Sequence, residues 1–198
     1  MPLLESRAPS DPLTLFRRWY RETEAAGTPQ PDAMALATAG KEGPSVRMVL
    51  FKGLRDGSFL FYTNYESRKG RDLARDPRAA SVFYWFATRH QVRVSGTVRR
   101  LSRKESLAYF RTRPRGAQLS ALASRQSRVV PSREVLERAV EELAAQYPGD
   151  VPLPADWGGY VLRPGRIEFW ESREDRLHDR LRYVRRREGG WRIERLAP

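Results

Sequence analysis

The 198-residue sequence contains no cysteine. This excludes disulfides, thiolate metal ligands and thiol nucleophiles, and it fits a reducing compartment. Long apolar runs are also missing, because the longest aromatic-rich run covers only residues 82–87, whereas a membrane span needs about 20 residues. The opening MPLLESRAPS lacks the apolar core of a secretory signal. We therefore expect a cytoplasmic protein with no membrane association.

Histidine and lysine are scarce. The two histidines, His90 and His178, have no further ligands at a recognised spacing, so no metal site is predicted. Only four residues are lysine, and arginine supplies most of the net charge of +13. That charge would attract polyanions, but the arginines are dispersed and no nucleic-acid-binding motif is present. Two interpretations of the positive charge remain open: a solvated basic surface, and a site for small phosphorylated ligands. No nucleic-acid partner is expected.

The spacing of apolar residues predicts two groups of strands with helices between them. A helix begins at Asp11-Pro12, a capping box from Ser102 to Glu105 begins another, and Ser132 caps a further one. The other predicted helices are 67–75 and 116–123; the predicted strands are 33–39, 45–52, 58–63, 79–87, 91–101, 159–162, 166–170, 176–184 and 191–195. Neither a G-x-G-x-x-G fingerprint nor a Walker loop is present. We expect one α+β domain over residues 1–198, with a mostly antiparallel sheet that forms a barrel.

The segment R-M-V-L-F-K, residues 47–52, combines cations with an apolar strand. Strand alternation places Arg47, Val49 and Phe51 on one face and Met48, Leu50 and Lys52 on the other. Each face therefore carries apolar residues and one positive charge. The pattern is also typical of a half-buried strand with solvated ends.

Two further segments place cations at the ends of predicted elements. Ser67 begins a helix whose first residues are Arg68 and Lys69, and the free amides of a helix start attract anions. Tyr109 and Arg113 are four residues apart, so they share a helix face on which a phenol and a guanidinium can hold a phosphate. A capped helix with solvated bases and an ordinary surface helix end are the alternative interpretations.

The segment R-L-H-D-R, residues 176–180, is predicted to lie on a strand. Alternation would then point Arg176, His178 and Arg180 to the same side. Three basic groups on one face repel one another unless an anion or solvent meets them. A structural role for His178 remains the alternative, since isolated histidines are often structural.

In order and spacing, these motifs resemble the pyridoxamine (pyridoxine) 5′-phosphate oxidase family over nearly the whole chain. The resemblance is carried by D-P-L-T-L-F, R-M-V-L-F-K, F-Y-T-N, S-R-K, Q-V-R-V-S-G, Y-F-R-T-R-P-R, R-Q-S-R, V-P-L-P-x-x-W-G-G, I-E-F-W, R-L-H-D-R and R-L-A-P. It implies an FMN-binding split β-barrel with flanking helices, a helical part at about 102–147 and C-terminal strands at about 158–198. It also implies a homodimer with FMN bound at the interface between subunits.

The resemblance assigns site residues by position. Around the FMN phosphate and ribityl chain it implies Arg47, Arg68, Lys69, Gln126 and Ser127. Along the flavin it implies Met48, Val49, Leu50, Lys52, Tyr62 and Thr63, and near the isoalloxazine Gln91, Trp170 and Arg180. The substrate phosphate would be held by Lys52, Tyr109 and Arg113. The catalytic residues at the reacting face would be Arg176 and His178.

The implied reaction oxidises pyridoxamine or pyridoxine 5′-phosphate to pyridoxal 5′-phosphate, with O2 as electron acceptor and H2O2 as product. Two departures bear on substrate affinity. Ala117 stands where the family often has a serine that contacts the phosphate, so this contact is either missing or replaced, for instance by Arg115. The N-terminus is also shorter than in some members. A split-barrel flavin reductase, or an oxidase acting on another substrate, is the alternative.

Overall fold

The computed structural model describes residues 3–198. Within them the chain forms five α-helices and nine β-strands. The helices are α1 (Pro12–Ala25), α2 (Arg68–Arg75), α3 (Arg103–Thr112), α4 (Arg115–Ala123) and α5 (Arg133–Gln146). The strands are β1 (Ala33–Gly40), β2 (Gly43–Leu50), β3 (Leu54–Arg55), β4 (Ser58–Asn64), β5 (Arg78–Trp85), β6 (His90–Arg100), β7 (Trp157–Glu171), β8 (Asp179–Arg185) and β9 (Trp191–Arg195). None of the helices in this described part is long and apolar enough to cross a membrane.

All the strands pair antiparallel in one sheet of order β2-β1-β5-β6-β7-β4-β3, with β8 beside β7 and β9 beside β8. The ladder does not close. Two backbone hydrogen bonds nevertheless bring the end of β2 beside β4: the N–H of Lys52 donates to the carbonyl of Leu60 (2.7 Å), and the N–H of Leu60 donates to that of Gly53 (3.0 Å). The predicted α+β class with an antiparallel, barrel-like sheet is confirmed, as a split barrel.

The main core lies between α1 and the sheet. The Asp11 side chain accepts the N–H of Leu13 (3.0 Å) and starts α1, which has Pro12 in its first turn, as predicted. The helix then buries Phe16, whose ring meets Phe59 and Phe83 edge-on at 4.9 and 5.3 Å between centroids. Such pairs add about 0.5–1.5 kcal/mol to the burial of their area. A rigid aromatic core therefore supports the strands from inside.

A smaller core lies where α3, α4 and α5 meet the start of β7. Its buried residues are Phe110, Leu119, Val151 and Trp157. The predicted capping box is confirmed, since the Ser102 side chain accepts the N–H of Glu105 (3.2 Å) and the Glu105 carboxylate accepts the N–H of Ser102 (2.7 Å). Ser132 precedes α5, but its side chain makes no capping hydrogen bond.

Two strand predictions are wrong. The predicted strands 159–162 and 166–170 form one continuous strand, β7. Opposite Ser95 and Gly96 of β6 the register shifts, so that Gly165 is an extra, bulged residue while Pro164 still pairs with Gly96. The predicted strand 176–184 begins only at Asp179, after a 3₁₀ turn. The short strand β3 was not predicted.

Candidate active site

A cleft of about 270 Å³ lies where the end of β2, the end of β4, α3 and the loop after α4 come together. Ten of its lining residues were predicted from the sequence: Met48, Val49, Leu50, Lys52, Tyr62, Thr63, Lys69, Tyr109, Arg113 and Gln126. Trp157, at the start of β7, completes the wall. Lys69 comes from α2, so residues from six separate segments meet in this cationic cleft.

Lys69 is a buried cation at the base of the cationic cleft, with only 7% of its surface exposed. The Ser67 side chain accepts the N–H of Gly70 (3.3 Å) and starts α2, which places Lys69 against the end of β4. The ammonium donates to the Gln126 side-chain oxygen (2.6 Å) and to the Thr63 hydroxyl (3.0 Å). Burial, with a smaller effect from Arg47, lowers the pKa of Lys69 to about 8.

Arg113 is the second partly desolvated cation of the cleft. It lies directly after α3, and its guanidinium stands 4.8 Å from the centre of the Trp157 ring. One terminal nitrogen, Nη1, is buried without a hydrogen-bond partner, and burial lowers the pKa of Arg113. Neither Arg113 nor Lys69 forms an ion pair with any carboxylate in residues 3–198. A buried charge without a counterion is costly, so both groups are suited to an anionic ligand.

Lys52 differs from these two cations. It lines the cleft as predicted, but its ammonium is bound by the Asp32 carboxylate at 2.7 Å. An anion at Lys52 would therefore share the ammonium with an internal carboxylate. No local pattern indicates this pair, because 20 residues separate the partners.

Stacked aromatic rings form one wall of the cleft. Tyr62 and Tyr109 lie face to face with 3.8 Å between ring centroids and 12° between planes. Trp157 continues the stack at 5.5 Å from Tyr62. The Arg103 guanidinium donates to the carbonyls of Pro154 (2.8 Å) and Trp157 (3.0 Å) and fixes this end of β7. Sequence reasoning missed Trp157, although it belongs to the W-G-G motif.

Three predicted cofactor residues lie outside the cleft lining. Arg47 faces inward and donates to the carbonyl of Leu36 (3.1 Å) and the hydroxyl of Thr38 (2.8 Å). Arg68 lies 3.6 Å from the Glu42 carboxylate at the surface. Ser127 follows Gln126 in a loop, with a φ of 70°. Their positions flank the buried Lys69 ammonium, and their roles stay predictions.

The remaining predicted residues form a second group far along β7. Gln91, Trp170 and Arg180 are cross-strand neighbours on β6, β7 and β8. The Arg180 guanidinium donates twice to one oxygen of Glu168, at 2.9 and 2.8 Å. Trp170 lies 13 residues after Trp157 on the same strand, or roughly 40 Å of strand length at about 3.3 Å per residue. One chain therefore does not bring this group into its own cleft.

Arg176 and His178 do not share a strand face with Arg180, which corrects the prediction. Both lie in the segment between β7 and β8, where Arg176 ends a 3₁₀ turn with a φ of 60° and is exposed. The backbone N–H of Arg173 donates to Nδ1 of His178 (3.1 Å). Nδ1 therefore acts as the acceptor of this hydrogen bond, and Nε2 takes no part in it.

The architecture is that of the FMN-binding split barrel. The chain matches the crystal structure of PhzG from Burkholderia lata 383, solved with tetrahydrophenazine-1-carboxylic acid, with a TM-score of 0.92, 36% identity and coverage of 98% of this chain and 95% of that one. An FMN-binding protein from Nostoc punctiforme, described as related to pyridoxamine 5′-phosphate oxidase, matches with a TM-score of 0.72 and 21% identity, covering 98% and 99% of the two chains. At 21% identity, the similarity to the Nostoc protein is evidence for the fold only.

Sequence comparisons then identify the family. Residues 21–147 match the family model described as pyridoxamine 5′-phosphate oxidase, and residues 157–198 match the pyridoxine 5′-phosphate oxidase C-terminal dimerisation region. A pyridoxine/pyridoxamine 5′-phosphate oxidase of Salinibacter ruber is 55% identical over 95% of this chain and 89% of its own. One from Rubrobacter xylanophilus is 54% identical, over 99% and 91%. This chain belongs to the pyridoxamine 5′-phosphate oxidase family of oxidoreductases.

Proposed function

We propose that the chain acts as one FMN-binding split-barrel domain that oxidises pyridoxamine or pyridoxine 5′-phosphate to pyridoxal 5′-phosphate. In the alcohol reaction, O2 takes up the two electrons and two protons removed from the substrate and becomes H2O2. The amine reaction also consumes water and releases ammonia. The names of the relatives support the substrate class. The observation that carries the proposal is the pair of desolvated cations, Lys69 and Arg113, that lack carboxylate partners in one cleft.

The residues of the cationic cleft fit FMN. Lys69 supplies an unpaired positive charge for a phosphate, and the hydroxyl of Thr63 and the amide of Gln126 already surround its ammonium. We assign the phosphate end to Lys69, Arg47, Arg68, Gln126 and Ser127, and the ring to Met48, Val49, Leu50, Tyr62 and Thr63. FMN, when bound, supplies the two-electron acceptor that O2 regenerates.

The substrate phosphate is assigned to Lys52, Tyr109 and Arg113. Arg113 offers a buried donor that has no partner within residues 3–198, and its stacking on Trp157 fixes the plane of the guanidinium. A planar guanidinium binds phosphate with two parallel hydrogen bonds. Asp32 competes for Lys52, so Arg113 carries more of the recognition of the phosphate.

Arg176 and His178 are assigned to the reacting carbon of the substrate. His178 accepts a backbone N–H at Nδ1 and therefore presents an N–H donor at Nε2. The Arg176 side chain has no hydrogen-bond or ion-pair partner among the described residues and is free to meet a ligand. These two groups orient the substrate and move its protons, while its oxidation depends on placement against the cofactor.

A homodimer would unite the two groups of site residues. The outward side chains of β2 are apolar and exposed, with 68% of Val46 and 63% of Met48 accessible, and Tyr84 and Phe86 continue this face beyond β1. Exposed apolar faces of this kind mark protein interfaces. The match of residues 157–198 to a dimerisation region separately supports the pairing of two copies. The second copy would bring its Gln91, Trp170, Arg176, His178 and Arg180 to the cleft of the first.

One observation favours a second candidate function. PhzG, whose structure was solved with a tetrahydrophenazine carboxylic acid, shares this fold at 36% identity. An oxidase acting on such a compound would need to recognise a carboxylate rather than a phosphate ester. Recognition of a carboxylate would not explain why a second desolvated cation, Arg113, lies in the same cleft as Lys69.

The test combines a spectrum with oxygen uptake. The purified protein is expected to be yellow and to lose its flavin absorbance when pyridoxine 5′-phosphate is added without oxygen. Oxygen uptake should be at least a hundredfold faster with pyridoxine 5′-phosphate than with pyridoxine at equal concentration, since the phosphate supplies several kcal/mol of binding. Equal rates would refute the phosphate site. A colourless protein that does not take up added FMN would refute the cofactor.

A further inference from the structure

The segment between β7 and β8, residues 172–178, carries both proposed catalytic residues and is here named the β7–β8 arm. It contains two consecutive non-glycine residues with positive φ, Asp175 (53°) and Arg176 (60°). Each such residue costs of order 1 kcal/mol or more and persists only where its surroundings hold it. The Arg176 side chain has no partner among residues 3–198, so the backbone of the arm alone sets its position.

One side chain closes the arm at its base. Arg173 donates to the Glu171 carboxylate (2.9 Å) and, through Nε, to the Asp179 carboxylate (2.7 Å). Glu171 is the last residue of β7 and Asp179 the first of β8, and the two are direct cross-strand partners. Two carboxylates in this position repel each other. The guanidinium between them offsets this repulsion, because it donates a charge-assisted hydrogen bond to each carboxylate.

The Asp179 carboxylate is tied further into the molecule. It accepts a hydrogen bond from Arg195 of β9 (2.8 Å) and from the backbone N–H of Leu3 (3.3 Å). Hydrogen bonds from Arg173 and Arg195 outweigh its partial burial and lower the pKa of Asp179. The Glu171 and Asp179 side chains are only 18% and 14% exposed. This is a shared, half-buried cluster, and such clusters are worth more than single exposed ion pairs.

We propose that Arg173 is a positioning residue for the oxidation: by bridging Glu171 and Asp179 it holds the strained β7–β8 arm in the conformation that presents Arg176 and His178. The proposal rests on the proposed function, because it takes these two residues as the groups that meet the substrate. Arg173 acts through the arm and does not itself touch the substrate.

The experiment compares Arg173→Gln with Arg173→Lys in the full-length FMN-loaded protein. Gln loses the charge, whereas Lys keeps it but reaches only one of the two carboxylates well. We expect Arg173→Gln to lower kcat/KM for pyridoxine 5′-phosphate by about ten- to a hundredfold, the scale of a misplaced catalytic group, with most of the loss in kcat. Arg173→Lys should retain part of the kcat/KM that Arg173→Gln loses. Arg187→Gln, an exposed arginine in the β8–β9 turn, is the matched control.

Hydrogen exchange supplies a readout independent of activity. In Arg173→Gln the amides of residues 172–178 should exchange faster than in the parent, while FMN affinity stays within error of the parent. Unchanged turnover with an active parent, or unchanged exchange in the arm, would overturn the proposal. An inactive parent would instead count against the proposed function, and the exchange measurement would still report whether Arg173 holds the arm. If Arg173→Gln unfolds, the test depends on Arg173→Lys alone. That variant must show a partial loss of kcat/KM, and turnover equal to the parent's would overturn the proposal.

Discussion

The cationic cleft and the β7–β8 arm hold their positive charges in opposite ways. In the cleft, Lys69 and Arg113 are desolvated, lack carboxylate partners and are fixed by packing against Trp157 and the end of β4. In the arm, Arg176 is exposed, and neighbouring ion pairs hold its backbone. Unpaired buried charge favours tight binding of an anion, whereas a braced exposed arm favours contact with a reacting group. Five expected outcomes test that contrast, beginning with the largest effect.

Arg176→Ala tests the arm. We expect kcat/KM to fall by roughly a hundredfold or more, because a group that orients the reacting carbon is lost. FMN affinity should stay unchanged, since Arg176 is assigned to the reacting carbon of the substrate and not to the cofactor. Stopped-flow flavin reduction gives the first quantity, and titration of the flavin-free protein with FMN gives the second. Release of the flavin from the variant would mean that its role is misassigned.

Lys69→Met tests the cleft. Removing a charge-assisted contact to phosphate costs about 1.5–3 kcal/mol, so FMN affinity should fall about ten- to a hundredfold. The effect should depend on pH: Lys69 loses its charge above about pH 8, so the parent should bind FMN more weakly at pH 9 than at pH 7, and the variant should not share that decline. Lys104→Met, exposed on α3, is the control. Equal affinity of parent and variant would contradict the assignment.

The same variant should be more stable without flavin. The pKa of Lys69 is lowered in the folded protein, so the unfolded chain binds more protons between about pH 8 and the ordinary lysine pKa, and stability rises with pH through that window. At pH 7 the buried charge is therefore unfavourable. Lys69→Met should raise the free energy of unfolding of the flavin-free protein by about 1–2 kcal/mol, as measured by urea titration. A loss of stability would show that the hydrogen bonds of Lys69 outweigh its burial.

Arg113→Gln separates the two ligands of the cleft. KM for pyridoxine 5′-phosphate should rise about tenfold, because a hydrogen bond to a charged group is worth about 1.5–3 kcal/mol. The rate with unphosphorylated pyridoxine should not change, and FMN affinity should stay at the parental value. Steady-state kinetics with both substrates decides the matter. Equal losses for both substrates would place Arg113 in the folding of the cleft rather than at the phosphate.

Ser102→Ala has the smallest expected effect and serves as the reference for a change that affects stability but not ligand binding. It removes the capping box that begins α3, which costs about 1 kcal/mol, or about 2–4 °C in melting temperature for a chain of this size. Differential scanning calorimetry measures the shift. Both ligand affinities should be retained, since the helix still carries Tyr109 into the cleft. A large change in KM would show that the cap controls the site and not only stability.

Local patterns predict much of the cleft. Alternation holds along β2 as far as Leu50, and the capping box begins α3. Tyr109 and Arg113 line one cleft as expected, although Arg113 lies just after the helix and not on its face. The resemblance to a known family supplied Gln126, which no local pattern connects with Lys69. Local patterns therefore suffice where a single element sets the geometry.

The arm was predicted incorrectly for physical reasons. An alternating pattern around His178 has the period of a strand, but two positive φ angles and a hydrogen bond from Arg173 form a turn instead. Pro164-Gly165 resembles a break, yet the bulge at Ser95 lets β7 continue. The continuity of β7 depends on its pairing with β6, which is distant in the chain, and the turn depends on backbone angles that an alternating pattern of side chains does not reveal.

The continuity of β7 has a consequence for cooperation between subunits. The strand begins at Trp157 in the cleft and ends at Glu171 beside the arm. If two copies pair as proposed, each β7 contributes its first residues to one active site and its last residues to the other. A single damaged subunit would then impair both catalytic centres of the pair, while two differently damaged subunits could rebuild one complete centre between them.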